Sequence, residues 1–174
     1  MNILETKRLL LRALTSDDLE TVIELNSDPE VVRFITGGTP MTREQTEARF
    51  NFYLNHQKTH GFAIWAIINK EDKSFIGICG IQYLEDTPNI EVGYRLAKAF
   101  WGKGIATEAA KACLDYGFNK LNLSEIVAVI DVENIASQKV IEKIGLRYEK
   151  MAYFYKADLK FYKITKSQFL TNIS

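Results

Sequence analysis

The sequence predicts an α/β chain of the α+β kind, with one mixed, mostly antiparallel sheet and helices on both of its faces. Three observations predict this. The strand-like runs "FAIWAII", "SFIGICGIQYL" and "NIEVGYRLA" follow one another between positions 62 and 97 with only short polar turns between them, the pattern of an antiparallel meander. Beyond them the apolar period lengthens to that of helices, and "IATEAAKACLDYGF" and "NIASQKVIEKIG" bracket a single strand, as α-crossovers require. That strand, "EIVAVIDV", is a near-continuous β-branched run, the mark of a strand covered on both faces.

Each element has a local reason. "RLLLRAL" at 8–14 is a short apolar strand. Thr15 or Ser16 caps the helix that follows, Asp17, Asp18 and Glu20 suit the positive end of its dipole, and Leu19, Val22, Ile23 and Leu25 form its apolar side. Pro29 starts a further short helix that ends before Gly37 and Gly38. Thr42 with Gln45 forms a capping box for a longer helix, with Phe50, Tyr53 and Leu54 on one side. "NKEDK" turns the first central hairpin, and 86–88 turns the second. In the next helix Ile105, Ala109, Ala112, Cys113, Tyr116 and Gly117 form the buried face, Ala106, Ala110 and Leu114 a second stripe, and Glu108, Lys111 and Asp115 face water. Asn134 caps the last crossover helix and Gly145 stops it. "LRYEKMAYFYKADLKFYKITK" closes the chain as two aromatic-rich strands.

A length of 174 residues predicts one domain over 1–174, its core at about 7–166, and buries roughly 70% of the unfolded surface. With 22 basic and 22 acidic residues the net charge is zero, which argues against a nucleic-acid partner. Cys79 and Cys113 fall in apolar runs and read as buried free thiols, with no second pair for a zinc site. The N-terminus lacks the apolar core of a signal peptide, and no run approaches the roughly 20 apolar residues of a membrane span, so a reduced, cytoplasmic protein without a membrane partner is expected. The apolar last strand allows a homodimer.

The stretch "FWGKGIATEAA" at 100–110 carries the first chemical signal. It is no Walker loop, because Lys103 lies between the glycines and no lysine precedes Thr107; the dinucleotide fingerprint is incomplete, because Thr107 stands where its third glycine belongs. A tight strand-to-helix turn is one reading. The other is an anion cradle: helix N-termini carry unpaired N–H groups and partial positive charge, and glycines let a phosphate approach the backbone.

Four stretches together resemble the GCN5-related N-acetyltransferases (GNAT): "LETKRLLLRALTSDDLE", "WAIINKEDKSFIGICGI", "IEVGYRLAKAFWGKGIATEA" and "VENIASQKVIEKIGLRYE". The first is similar to the Rim-type branch, which acetylates ribosomal-protein N-termini. The resemblance covers nearly the whole chain. It implies a sheet of about seven strands splayed in the middle, with acetyl-CoA as co-substrate in the opening and no metal. It implies that backbone N–H groups of Trp101, Gly102, Lys103, Gly104, Ile105, Ala106 and Thr107 receive the CoA pyrophosphate. The strand end Tyr94, Arg95 and Leu96 would pair with the pantetheine arm, which Asn134 also contacts. Ala99 stands where the family pattern has Gln or Arg, which removes one side-chain contact from a cradle made mostly of backbone.

The reaction so implied is acetyl transfer from a thioester to a primary amine, such as the N-terminal amine of a (ribosomal) protein. The alternatives are a small amine (polyamine, amino sugar or drug) or a non-catalytic CoA-sensing domain. The amine must lose a proton, and Glu91 is the candidate base, directly or through water, since a carboxylate in an apolar strand is costly unless used or paired. A glutamate near the strand start that faces solvent or pairs with Arg95 is the competing reading. The family's usual acid tyrosine position is Ile141 here, and Ser137 is the candidate to hydrogen-bond the departing sulfur, against a plain helix-start serine. His56 and His60 read as a solvated helix end, and Phe34, Trp65 and Tyr83 as either acceptor pocket or core.

Overall fold

A computed structural model describes residues 1–172. In chain order the elements are β1 (Asn2–Glu5), β2 (Leu9–Arg12), α1 (Leu19–Asn26), α2 (Arg33–Thr36), α3 (Arg43–His60), β3 (Ile64–Asn69), β4 (Phe75–Tyr83), β5 (Ile90–Leu96), α4 (Ile105–Asn119), β6 (Glu125–Ile130), α5 (Ile135–Lys143), β7 (Arg147–Phe154), β8 (Ala157–Thr165) and α6 (Lys166–Asn172). The eight strands form one sheet in the order β1-β2-β3-β4-β5-β6-β8-β7. Every pairing is antiparallel except that of β5 with β6. The eighth strand is β1, whose four residues lie before the apolar run that marks β2. Helix α6 is likewise absent from the sequence reading.

The local signals act as expected at most boundaries. Thr42 and Gln45 close their capping box on α3, and Gly61 ends that helix at φ 81°. Asn134 Oδ1 accepts the Ser137 N–H at the start of α5. Asp18 caps back onto the Thr15 N–H and takes both terminal nitrogens of Arg12 at 2.8 Å, tying β2 to the start of α1.

Alternation of side chains separates two cores. Leu9, Leu11, Ile67, Ile76, Ile81 and Val92 pack under α4 and α5. Leu14, Ile64, Ala66 and Ile78 pack under α1 and α3 with Val22, Leu25, Phe50 and Tyr53. Cys79 and Cys113 are buried free thiols with sulfurs 3.6 Å apart.

The join of β5 to β6 positions the site. Its register contains one pair, Glu91 with Val127, whereas β4 and β5 pair from Gly77–Leu96 to Tyr83–Ile90. The parallel strands part beyond Glu91, leaving a gap toward their carboxyl ends, where open α/β sheets bind ligands.

Two expectations fail. His56 is no solvated helix end: it is 5% exposed, its Nδ1 lies 2.7 Å from the Phe62 carbonyl, and its Nε2 accepts the Tyr83 N–H. Glu108 does not simply face water. It accepts from the Thr6 hydroxyl and from the N–H and Nε of Arg8, because β1 and β2 fold over the start of α4.

Candidate active site

The loop from β5 to α4 leaves a row of donors uncommitted. Helix α4 makes its first bond from the Glu108 N–H to the Gly104 carbonyl, so Ile105, Ala106 and Thr107 keep their N–H groups outside the helix ladder. Gly102 and Gly104 both adopt φ 74°, the left-handed region where a side chain is strained. A Cβ at Gly102 would meet no atom within 4 Å, so the loop's outer surface is open. Arg8 donates from Nη1 to the Lys103 carbonyl while paired with Glu108, which fixes the loop from behind. Burial raises the Glu108 pKa, but the Thr6 and Arg8 hydrogen bonds outweigh it and hold the carboxylate below its ordinary range. An open, N–H-rich loop beside the exposed Lys103 fits a diphosphate. One predicted donor is corrected: the Trp101 N–H is already given to the Lys98 carbonyl, closing the short turn at Lys98–Phe100.

The gap itself offers main-chain groups on its β5 side. Ala97 donates its N–H to Ile76 on β4. By strand alternation the main chain of Arg95 also faces β4, and that of Tyr94 and Leu96 faces the gap. This corrects Arg95 as a pantetheine partner through its backbone. The Leu96 carbonyl receives the Trp101 indole N–H at 3.0 Å, a side-chain role for Trp101 at the rim.

Tyr94 and Ser137 meet across the gap. Tyr94 points from β5 toward α5, and its hydroxyl lies 2.8 Å from Ser137 Oγ. Burial pushes the Tyr94 phenol up to about 12, although the Ser137 hydrogen bond pulls the other way. Asn134, half-buried one turn earlier, holds the Ser137 backbone through its Oδ1. Ile141 is core at 1% exposure.

Glu91 stands at the vertex and on the opposite face. It is 6% exposed, which removes the solvent-facing reading. It is not paired with Arg95, whose Nη1 donates to Asn26 Oδ1 instead. Its carboxylate Oε1 accepts from Gln82 Nε2 at 3.0 Å and from the Tyr155 hydroxyl. Gln82 is its cross-strand neighbour on β4. Burial raises the Glu91 pKa, and the hydrogen bonds from Tyr155 and Gln82 restrain the rise. Tyr155 itself sits in the turn between β7 and β8 at φ 52°, followed by Lys156 at φ 61°. Non-glycine residues rarely adopt this geometry, and such strain concentrates at functional sites. The Arg49 guanidinium lies 5.7 Å from the Tyr155 ring centre.

The fold therefore brings together Glu91, Tyr94, Ser137, Asn134, Leu96 and the loop 102–107. Gln82, Tyr155 and Arg8 were missed. Tyr155 lies in the run "YFYKADLKFY", which reads as sheet packing because its turn carries no Gly or Asn. Trp65 is core, and Tyr83 packs on His56, His60 and Phe62. Phe34 lies under the Arg33 guanidinium. Among the described residues no group of three or more His, Cys, Asp or Glu could hold a metal ion, and no helix is long and apolar enough to cross a membrane.

Comparison with known proteins shows the family and the fold. A family model described as an acetyltransferase (GNAT) domain matches residues 8–147. The uncharacterized protein YkkB of Bacillus subtilis (strain 168) is 39% identical over 150 residues, covering 84% of this chain and 86% of that protein. A spermidine N-acetyltransferase from Vibrio cholerae, solved with CoA and spermine, shares the fold with a TM-score of 0.77 and 24% identity over 95% of this chain and 99% of its own. A ribosomal-protein-S5-alanine acetyltransferase from Vibrio fischeri shares it with a TM-score of 0.74 and 21% identity over 97% and 98%.

Proposed function

The chain belongs to the GNAT acetyltransferase family, an acetyl-CoA-dependent N-acetyltransferase fold, and from that premise we propose that it acetylates a primary amine presented on the α1–α3 face of β5. One observation carries the reading. Glu91 and Tyr94 lie on opposite faces of β5 at the strand's parting from β6, so a proton acceptor and a hydroxyl pair flank the gap from its two sides.

Acetyl-CoA, when bound, supplies the acyl group as a thioester. The chain's own residues divide the remaining work. The N–H groups of Gly102, Lys103, Gly104, Ile105, Ala106 and Thr107 hold the diphosphate, and the gap-facing main chain of Tyr94 and Leu96 aligns the arm behind it. Glu91, raised in pKa by burial, takes the proton of the attacking amine directly or through water. Ser137, hydrogen-bonded to Tyr94, offers its O–H to the sulfur as charge develops there. Alignment of amine and acyl carbon contributes further, through effective molarities up to about 10⁵–10⁸ M.

The fold alone does not choose the acceptor, since a spermidine acetyltransferase and a ribosomal-protein acetyltransferase both share it. A CoA-release screen over N-terminal peptides and small amines tests the proposal, with CoA binding measured calorimetrically beside it. Binding without acetylation of any amine would move the reading to a sensing domain.

A further inference from the structure

The face of β5 that carries Glu91 holds a second constellation, which the acetyl transfer above does not use. Glu91, Gly93 and Arg95 alternate onto this face, and Arg95 lies about 13 Å along the strand from Glu91 at ~3.3 Å per residue. A Cβ at Gly93 would meet no atom within 4 Å, so the floor between the two charged side chains is open. At the Glu91 end the unused capacity is for receiving hydrogen bonds: Gln82 is 6% exposed, and its Oε1 is buried with no partner. At the other end it is for giving them. Arg95 spends Nη1 on the neutral Asn26, its Nε is buried with no partner, and no carboxylate among the described residues pairs with it. Its free Nε–Nη2 edge is the one that grips a carboxylate with two parallel bonds.

Arg49 lies within electrostatic reach of both ends, of the Glu91 carboxylate as well as of the Arg95 guanidinium. It reaches over Tyr155 from α3 and forms no salt bridge among the described residues. Its charge and that of Arg95 oppose one another. Glu91 attracts Arg49 without forming a salt bridge to it, so one carboxylate faces two guanidiniums, an imbalance that a second anion would relieve.

We propose that the acceptor is an amino-carboxylate, whose primary amine is received by Glu91 and Gln82 Oε1 and whose carboxylate is received by Arg95 and Arg49. This rests on the amine-acetylation reading and narrows it. A polyamine fits poorly, because its second ammonium would meet the guanidiniums.

The test presents wild-type protein and acetyl-CoA with linear amino-carboxylic acids of increasing length, their primary amides, spermidine, and a peptide whose N-terminal residues are neutral. CoA release, product mass and calorimetric binding are recorded. The best acid should exceed its amide by about 10- to 100-fold in kcat/KM, mostly through KM, the scale of one hydrogen-bonded charge. Arg95→Gln should erase that preference, and Arg95→Lys should restore only part of it. Arg49→Gln should weaken the preference too, and decides the matter should the Arg95 variants not fold. Amides, spermidine or the neutral peptide serving as well as the acids would overturn the proposal. If nothing is acetylated, the calorimetric arm separates the two readings. Carboxylate-dependent binding lost in Arg95→Gln supports this site while the enzymatic reading fails; no binding of any amino-carboxylate sinks it.

Discussion

The hydroxyls of Tyr94 and Ser137 lie 2.8 Å apart, joining β5 to α5 over the gap in the sheet. Ser137 alone would be a poor proton source. Coupled to a buried phenol it is oriented, and in the arrangement where Tyr94 is the donor of the pair, the Ser137 proton is free to point at the sulfur. Ser137→Ala should lower kcat by about 10²-fold, and Tyr94→Phe by less, since it removes the support and leaves the contact. The double variant should lose little more than Ser137→Ala, because coupled residues are not additive. Single-turnover kinetics with unchanged CoA affinity checks this.

Glu91 sets the acid limb of the pH profile. A base works ionised, so kcat/KM should rise with pH through the Glu91 pKa, which burial lifts above the ordinary carboxylate range. Tyr155 donates to the carboxylate and so favours its charged form. Tyr155→Phe should therefore shift the limb to higher pH, while Glu91→Gln should remove the limb and about 10²–10³-fold of kcat. A limb unmoved in Tyr155→Phe would separate Tyr155 from the base.

Gly102 can be tested against a control with the same strain. Gly102→Ala and Gly37→Ala both place a side chain at φ near 75° with no atom in the way, so each should cost about 1–2 kcal/mol of stability. Only Gly102→Ala should also weaken CoA binding, by about tenfold or more, because its methyl group occupies the surface where the diphosphate approaches. Paired thermal denaturation and calorimetry read the two effects separately.

Asp18 holds β2 to α1 and gives a stability signature with a definite sign. Burial raises its pKa, but the bonds from Arg12 and Thr15 more than offset that and leave it lowered. Its contribution is thus present above the unfolded aspartate pKa and is lost as pH falls through the folded value. Asp18→Asn should cost about 1–3 kcal/mol at neutral pH, a Tm drop of roughly 2–10 °C for a chain of this size, and the gap to wild type should close in acid.

The fold was legible where the sequence repeats a local rule over many residues. The β3–β4–β5 meander and the α4–β6–α5 crossovers stand out by period, and Thr42 and Asn134 by capping. Strand β1 was not legible, since four residues of mixed burial give no alternation to read. Of the site, the loop glycines and Glu91 could be named because each breaks a pattern: glycines at a helix start, a carboxylate inside an apolar strand. Gln82, Tyr155 and Arg8 break none. Gln82 becomes notable only by lying opposite Glu91 across a strand pair, Tyr155 by a turn that no turn residue announces, and Arg8 by a contact 100 positions away. Such meanings come from register and long-range packing, which a single sequence does not spell out.

The lone rung between Glu91 and Val127 also governs how the molecule breathes. The plates on either side of it are riveted at one point, where the neighbouring seams run through six or seven consecutive pairs. Amides lining the opening should therefore trade hydrogen for deuterium well before those of the β3–β4 seam. A guest that spans the opening would supply the missing stitches, so the cleft gains rigidity only when loaded.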